Sequence, residues 1–259
     1  MDDLFHPVLP QYSVTIRDVL LAYHHTQGSN HFSLHIPYLG AHAGSIRCVY
    51  GTNGCGKTTL LRTLAGVIKP QEGSVIWSPD SVPRLGADLV LVTQAGPMPH
   101  WSVRENITAP MHNQGLSSTT VEDRATTLID LLGLQGLDNR YAHQLSAGQQ
   151  QRTVLARALS VTPKVLLLDE IMSGQSEYWA ARIGEILRQY ASRGGTLVIV
   201  SHDPEWVMTY ADTVCHIVSD HTDAVSTTRF YVGYDGPANQ WYVYRERRYG
   251  KQNEKGAGN

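Results

Sequence analysis

A glycine-rich segment that ends in a lysine and two threonines constrains the fold of this chain more than any other feature. The segment runs over residues 51–59 and has the spacing Gly-x-x-x-x-Gly-Lys-[Ser/Thr], which is typical of loops that wrap the phosphates of a nucleotide. A largely apolar stretch precedes it at 46–50, and helix-forming residues follow it at 60–65. Strand, glycine loop and helix, in that order, are the context that such a loop needs in order to bind phosphate.

The residue types of this loop suit an anionic ligand. Glycine lets the backbone turn so that successive N–H groups approach phosphate oxygens, where a Cβ would clash. The helix that follows points the positive end of its dipole at the same anion. Lys57 is predicted to place its charge at the β- and γ-phosphates of a nucleotide, and Thr58 to place its hydroxyl on Mg²⁺. The predicted nucleotide-binding residues of the loop are Gly51, Thr52, Asn53, Gly54, Cys55, Gly56, Lys57, Thr58 and Thr59.

Composition narrows the class of protein. The chain has 259 residues, enough for one large domain or two small ones. Its net charge of −2 provides no strong field, so we expect no nucleic-acid partner. The three cysteines have neither metal nor redox spacing, and Cys55 is predicted to be tolerated in the loop rather than catalytic. We expect neither a signal peptide nor a membrane-spanning helix, which requires about 18 apolar residues, so a membrane role would come through a partner.

Hydrophobic patterning along the chain predicts alternating strands and helices. Alternation of this kind predicts a mainly parallel α/β sheet, with 95–160 as a helical insertion. Near the end, two aromatic-rich runs at 228–234 and 240–244 flank a turn sequence and predict a β-hairpin, followed from Arg248 by a disordered tail. The predicted elements are strands at 12–23, 31–50, 73–77, 88–93, 164–169 and 196–201, and helices within 103–160, at 177–192 and from 204 onward.

A second motif supplies the carboxylates that a phosphate loop needs for catalysis. Residues 165–168 form an unbroken apolar run, typical of a strand buried on both faces, and Asp169 and Glu170 follow at once. Because parallel α/β sheets place ligands at the carboxyl ends of their strands, Asp169 is predicted to lie beside the phosphate loop and to hold Mg²⁺ through water. Glu170 is predicted to polarise the water that attacks the γ-phosphate.

The run Leu-Ser-Ala-Gly-Gln-Gln-Gln-Arg at 145–152 resembles the signature motif of ATP-binding cassette (ABC) ATPases. The resemblance covers about residues 12–220. It implies a P-loop NTPase core of the ABC type with a mainly parallel sheet, an N-terminal antiparallel β-subdomain, an inserted helical subdomain and a C-terminal β-hairpin. The implied domains are an ATPase domain over 1–220 and a hairpin extension with a disordered tail over 221–259.

The same resemblance assigns further site residues. Gln94 matches the glutamine that senses Mg²⁺ and the γ-phosphate, and His202 matches the switch histidine that contacts the γ-phosphate. Tyr23 is the candidate for stacking on adenine, although a core position for this aromatic stays open. The implied catalytic residues are Glu170, His202 and Gln94, and the implied Mg²⁺ ligands are Thr58, Gln94 and Asp169. In this family two cassettes clamp two ATPs head to tail, so Ser146, Gly148 and Gln149 would bind the ATP of a second ABC ATPase subunit.

The chain departs from the family pattern after Glu170. Ile171 stands where relatives usually have proline, and Ser176 stands where they have an aspartate that crosses the dimer interface. The second departure is expected to affect cross-talk between the two sites rather than ATP binding. Ala147 replaces a commoner glycine, which the start of a helix tolerates.

Three kinds of cassette remain open: the nucleotide-binding subunit of a membrane transporter, including lipid, lipoprotein and efflux machines; a soluble ATPase of repair or translation; and a regulatory cassette with poor turnover. The stretch 58–145 holds no sustained heptads, which disfavours coiled-coil relatives. Residues 97–107 look like importer cassettes for small solutes. We therefore expect an importer subunit at the cytoplasmic face of the membrane, attached through integral-membrane permease subunits and working with a solute-binding protein, with its substrate chosen by other chains.

Overall fold

The computed structural model describes residues 12–24, 31–78, 83–93, 98–220, 227–241 and 245. The strands of this part of the chain form one sheet in the spatial order β4-β1-β2-β9-β8-β3-β7-β6-β5. Its strands are β1 (Ser13–His24), β2 (His31–Ala41), β3 (Ile46–Gly51), β4 (Glu72–Ser78), β5 (Leu89–Val92), β6 (Val165–Asp169), β7 (Thr196–Val200), β8 (Thr213–Asp220) and β9 (Thr227–Pro237).

One end of the sheet is antiparallel and the other is parallel. β1 pairs antiparallel with β2 and β4, which confirms the predicted N-terminal antiparallel region. β3, β5, β6, β7 and β8 run parallel to their neighbours within this group. Every residue of β6 and β7 is buried, which explains why their sequences are continuously apolar rather than alternating. The carboxyl ends of β3, β6 and β7 therefore meet at one edge of the sheet.

Helices cover both faces of this sheet. One core contains the apolar side of α1 together with the antiparallel strands, and the other contains the apolar sides of α2 to α6. No helix of the described ranges is both long enough and apolar enough to cross a bilayer. The helices are α1 (Lys57–Leu64), α2 (Val103–Asn113), α3 (Ser118–Leu131), α4 (Ala147–Ser160), α5 (Glu177–Ser192) and α6 (Pro204–Tyr210).

The C-terminal part differs from the predicted hairpin. The first predicted strand is present as β9, but it pairs antiparallel with β8 and parallel with β2 rather than with 240–244. Residues 238–241 are helical, and 242–244 lie outside the described residues, as does the tail from Arg248. Trp241 is fully buried and donates from Nε1 to Nδ1 of His216 at 3.2 Å. Burial of this indole against β8 favours a helical turn over a second strand.

An ion pair fixes the start of β6 beside β5. Nζ of Lys164 lies 2.7 Å from Oδ1 of Asp88, and Nε of Arg84 lies 3.0 Å from Oδ2. Burial alone would raise the pKa of Asp88, but hydrogen bonds from Lys164 and Arg84 outweigh it and lower this pKa to about 2. A carboxyl whose folded pKa is depressed stabilises the fold above its unfolded pKa of about 3.9, and this contribution is lost as the pH falls through 2.

Asp88→Asn is expected to destabilise the chain by about 1 kcal/mol at pH 7, because the pair is partly solvated. The difference from wild type should shrink as the pH falls from 7 through 4 toward 2. Denaturant unfolding at several pH values measures it, with Asp123→Asn on the exposed side of α3 as the control. A difference that stays constant across this range would show that the charge of Asp88 does not stabilise the fold.

Candidate nucleotide-binding site

The glycine loop connects β3 to α1 in a conformation that glycine alone adopts easily. Gly54 and Gly56 have φ values of 80° and 97°. A Cβ on Gly56 would also lie 2.6 Å from Cζ of Phe32 and 2.9 Å from Cδ2 of Leu34, so β2 closes one side of the loop. No side chain caps the start of α1. The first N–H groups of this helix are therefore available to an anion, as the sequence predicts.

Lys57 is folded back across the loop. Its Nζ donates to the carbonyl oxygens of Gly51 at 2.9 Å and Thr52 at 3.0 Å, and the residue is only 6% exposed. Oε1 of Glu170 lies 3.8 Å from the same nitrogen. The ammonium is thus held within the loop, beside a carboxylate from the end of β6.

Thr58 and Asp169 form the pair predicted to hold Mg²⁺. Oγ1 of Thr58 donates to Oδ2 of Asp169 at 2.6 Å, so two oxygen ligands already lie side by side. Burial raises the pKa of Asp169, and the hydrogen bond from Thr58 opposes this rise. The described residues contain no group of three or more His, Cys, Asp or Glu side chains that could hold a metal ion. Two hard oxygens fit Mg²⁺, which usually completes its shell with water and phosphate oxygens.

Glu170 and His202 complete the cluster at the ends of β6 and β7. Glu170 has a φ of 52°, and its N–H donates to the carbonyl of Val200, the last residue of β7. Oε2 of Glu170 lies 3.8 Å from Nδ1 of His202, whose side chain is 58% exposed. The distances from this carboxylate to Lys57 and His202 both exceed hydrogen-bond length, so it can still accept a hydrogen bond from water. The structure therefore brings together Lys57, Thr58, Asp169, Glu170 and His202.

The signature residues lie at the start of α4, where Ser146 is the N-cap residue. Ser146 caps the helix: its Oγ accepts from the N–H of Gln149 at 3.3 Å, and Oε1 of Gln149 accepts from the N–H of Ser146 at 2.9 Å. Within the described ranges, no hydrogen bond or ion pair joins Ser146 to the phosphate loop. Ser146 is exposed, and its hydroxyl keeps a proton that it can donate to a ligand from outside the chain. The side chain of Gln149 is turned to its own helix.

The roles of all the predicted site residues stay predictions, and two of these residues lie partly or wholly outside the described part of the chain. The backbone of Tyr23 lies in β1 and pairs with Phe32 in β2, but the side chain of Tyr23 lies outside the described residues. Gln94, two positions after the end of β5, lies outside them as well.

The sequence interpretation overlooked Phe32, which packs against Gly56 and against Phe230 of β9, with the two phenylalanine centroids 5.5 Å apart. Its place in an alternating strand gave no indication of a contact with the loop.

Fold and site together define an α/β nucleotide-binding protein. Residues 34–173 match the family model described as ABC transporter, and the chain belongs to that family. A dimeric ATP-binding cassette in a post-hydrolysis state, bound to ADP and Pi, has the same fold, with a TM-score of 0.68 at 21% identity over 87% of this chain and 98% of that one. This agreement confirms the predicted fold class.

Curated relatives carry names of import systems. The chain is 32% identical over 210 residues to the Fe(3+) ions import ATP-binding protein FbpC of Escherichia coli O157:H7, covering 76% of this chain and 60% of that protein. It is 31% identical over 242 residues to the sulfate/thiosulfate import ATP-binding protein CysA of Mycobacterium bovis, covering 90% of this chain and 66% of that protein. The chain thus spans less than two thirds of the length of these relatives.

Proposed function

We propose that this chain binds and hydrolyses ATP as the nucleotide-binding subunit of a membrane transporter. One observation carries the proposal: a lysine, a threonine and two carboxylates from separate parts of the sequence converge at the start of α1. The N–H groups of the loop would bind the phosphates, and Lys57 would leave its two carbonyl partners for the β- and γ-phosphate oxygens. ADP and Pi in a structural neighbour of the same fold support this choice of ligand.

The other residues of the cluster divide the chemistry among them. Thr58 and Asp169 would hold Mg²⁺, which when bound neutralises phosphate charge. Glu170 is placed to accept a proton from the attacking water. Its carboxylate lies beside Lys57 and accepts no hydrogen bond from the described residues. His202 would donate a hydrogen bond to the γ-phosphate from the other side of Glu170. Gln94, two positions after β5 in the sequence, would orient water and metal.

A second cassette would supply the other half of each site. The tip of α4 would offer to an anion the Ser146 hydroxyl and those N–H groups of its first turn that the capping box does not use. The N–H groups at the start of α1 would already bind the phosphates of the ATP of the same chain. We therefore propose that Ser146 and Gly148 bind the ATP of a second ABC ATPase subunit. Adenine would stack on Tyr23 of the chain that provides the phosphate loop.

We further propose that the transporter is an importer of a small solute. The printed names of the relatives, which are import ATP-binding proteins, support this choice. The chain would lie at the cytoplasmic face of the membrane, held there by permease subunits, and a solute-binding protein would deliver the substrate. Co-purification with a multi-spanning protein, and ATP-dependent solute uptake into vesicles that contain both, would test this assignment. Uptake that is unaffected by removing the chain would refute it.

Ser176→Asp is expected to raise the rate of ATP hydrolysis by about two- to tenfold, a coupling of roughly 1 kcal/mol. Ser176 caps α5, its Oγ accepting from the N–H of Trp179 at 3.4 Å, and aspartate caps a helix equally well. The new carboxylate would restore the charged group that relatives place at the dimer interface. Phosphate release at saturating ATP measures the effect, with Ser176→Asn as the neutral capping control. Equal rates of phosphate release for the Asp and Asn variants would show that a charge at this position has no effect on ATP hydrolysis.

A further inference from the structure

One side chain ties the segment after Glu170 to the first turn of α4. Nε2 of Gln175 donates to the carbonyl of Gly148 at 3.1 Å and to Oε1 of Gln151 at 3.0 Å. Oε1 of Gln175 accepts from Nη1 of Arg152 at 3.1 Å. Because an amide nitrogen carries two hydrogens, both donors of Gln175 are used on α4. No other residue type of this size offers two donors and an acceptor on one planar group.

The backbones of the two segments also approach each other closely. A Cβ at position 148 would lie 3.2 Å from Oε1 of Gln175 and 3.4 Å from the carbonyl oxygen of Gly174. The first distance is tighter than an ordinary contact and the second is ordinary contact, so a side chain at 148 would press on the amide of Gln175 and disturb its hydrogen bonds. Gly148 therefore serves the packing of its own chain, in addition to the role proposed for it at the second nucleotide.

Arg152 fixes the orientation of the Gln175 amide. Its guanidinium lies 4.2 Å from the ring centroid of Trp179 in the first turn of α5. The residue is 8% exposed, and its Nε has no hydrogen-bond partner among the described residues. The same indole packs on the turn after α3, where a Cβ on Gly133 would lie 2.1 Å from Cζ2. With the guanidinium held on Trp179, the amide oxygen of Gln175 faces Arg152, and the amide nitrogen faces the first turn of the same helix, α4.

The segment between Glu170 and Gln175 is short and internally hydrogen-bonded. The N–H of Ser173 donates to the carbonyl of Glu170, and the N–H of Gln175 donates to the carbonyl of Met172, both at 3.1 Å. Ile171 and Met172 are buried, which anchors the two turns in the core. A displacement of Gln175 is therefore transmitted to Glu170 through two consecutive turns rather than absorbed by a loose loop.

We propose that Gln175 is a positioning residue that couples the tip of α4 to Glu170. The inference rests on the proposed function, in which Glu170 acts on the ATP of its own chain and Ser146 acts on the ATP of the second cassette. Gln175 then connects the two nucleotide sites through one chain. It stands directly before Ser176, so its amide provides a route for cross-talk that does not require a carboxylate at that position.

Two substitutions test this role in the full chain. Gln175→Leu removes all three hydrogen bonds at similar volume, whereas Gln175→Glu keeps the acceptor for Arg152, which is also in α4, and removes only the two donors to Gly148 and Gln151. Both variants are expected to bind ATP like wild type, because the phosphate loop is untouched, but to hydrolyse it about tenfold more slowly and without cooperativity in ATP. Gln189→Leu, at an exposed position of α5, is the matched control.

The measurements are the affinity for Mg-ATP by calorimetry, kcat and the cooperativity of phosphate release, and the melting temperature. A loss of kcat and cooperativity at unchanged affinity and melting temperature supports the coupling role. Gln175 variants with the same kcat and cooperativity as Gln189→Leu would overturn the coupling role. The proposed function would still stand in that case, because the wild-type chain remains active. Losses of affinity and melting temperature alongside kcat would also overturn the coupling role, in favour of a structural role. A wild-type chain without ATP-dependent dimers or turnover would overturn the proposed function and this inference together.

Discussion

Glu170→Gln is expected to reduce ATP hydrolysis by about 10²- to 10⁴-fold, the range typical of removing a general base. Glutamine has almost the same shape as glutamate, and the backbone of residue 170 is held by its N–H bond to Val200. The variant should therefore fold and keep its geometry. It loses only the ability to take a proton from water, together with the negative charge 3.8 Å from Nζ of Lys57.

ATP affinity should be unchanged or higher in this variant, because a negative charge beside the γ-phosphate position has been removed. If two cassettes enclose the nucleotide, ATP should then convert Glu170→Gln from monomers to stable dimers, whereas ADP should not. Light scattering with each nucleotide measures this, and Glu205→Gln on the exposed side of α6 is the control. Phosphate release at the wild-type rate would eliminate Glu170 as the base.

Local sequence patterns predicted the parts of this molecule that local physics determines. The glycine loop follows from its motif, and the two buried strands β6 and β7 follow from their apolar runs. The position of Asp169 and Glu170 beside the phosphate loop follows from the rule that parallel strands end at one edge. The capping box at Ser146 and Gln149 has its own local signature, serine followed three residues later by glutamine. That signature could have shown that the side chain of Gln149 caps its own helix.

Features that depend on distant contacts could not be predicted in this way. Residues 240–244 have strand-like composition, yet 238–241 are helical because Trp241 is buried against His216 and Tyr50, whose rings lie about 25 and 190 positions earlier in the sequence. The bridge from Gln175 to Gly148 likewise joins positions that no periodicity relates. Such contacts are properties of the packed chain, so a pattern read over ten or fifteen residues contains no sign of them.

Lys57→Ala is expected to weaken ATP binding by about 10- to 100-fold, since a hydrogen bond to a charged group contributes roughly 1.5–3 kcal/mol. In the structure the ammonium donates hydrogen bonds to the carbonyls of Gly51 and Thr52, which hold it in place but carry no negative charge. Bound ATP would replace these two neutral partners with several negatively charged phosphate oxygens. Removing the ammonium also takes away the positive charge 3.8 Å from Oε1 of Glu170, which adds repulsion between this carboxylate and the γ-phosphate.

Titration calorimetry with Mg-ATP at fixed ionic strength measures the change in affinity, with circular dichroism to show that the variant is folded. Lys57→Arg separates charge from shape: it keeps the charge, but its planar guanidinium does not fit between two carbonyls 2.9 and 3.0 Å from the native Nζ. We expect Arg to bind ATP more tightly than Ala and less tightly than Lys. Because Lys57 is 6% exposed and faces the loop rather than bulk solvent, wild-type affinity in the Ala variant would mean that the phosphates do not bind at the start of α1.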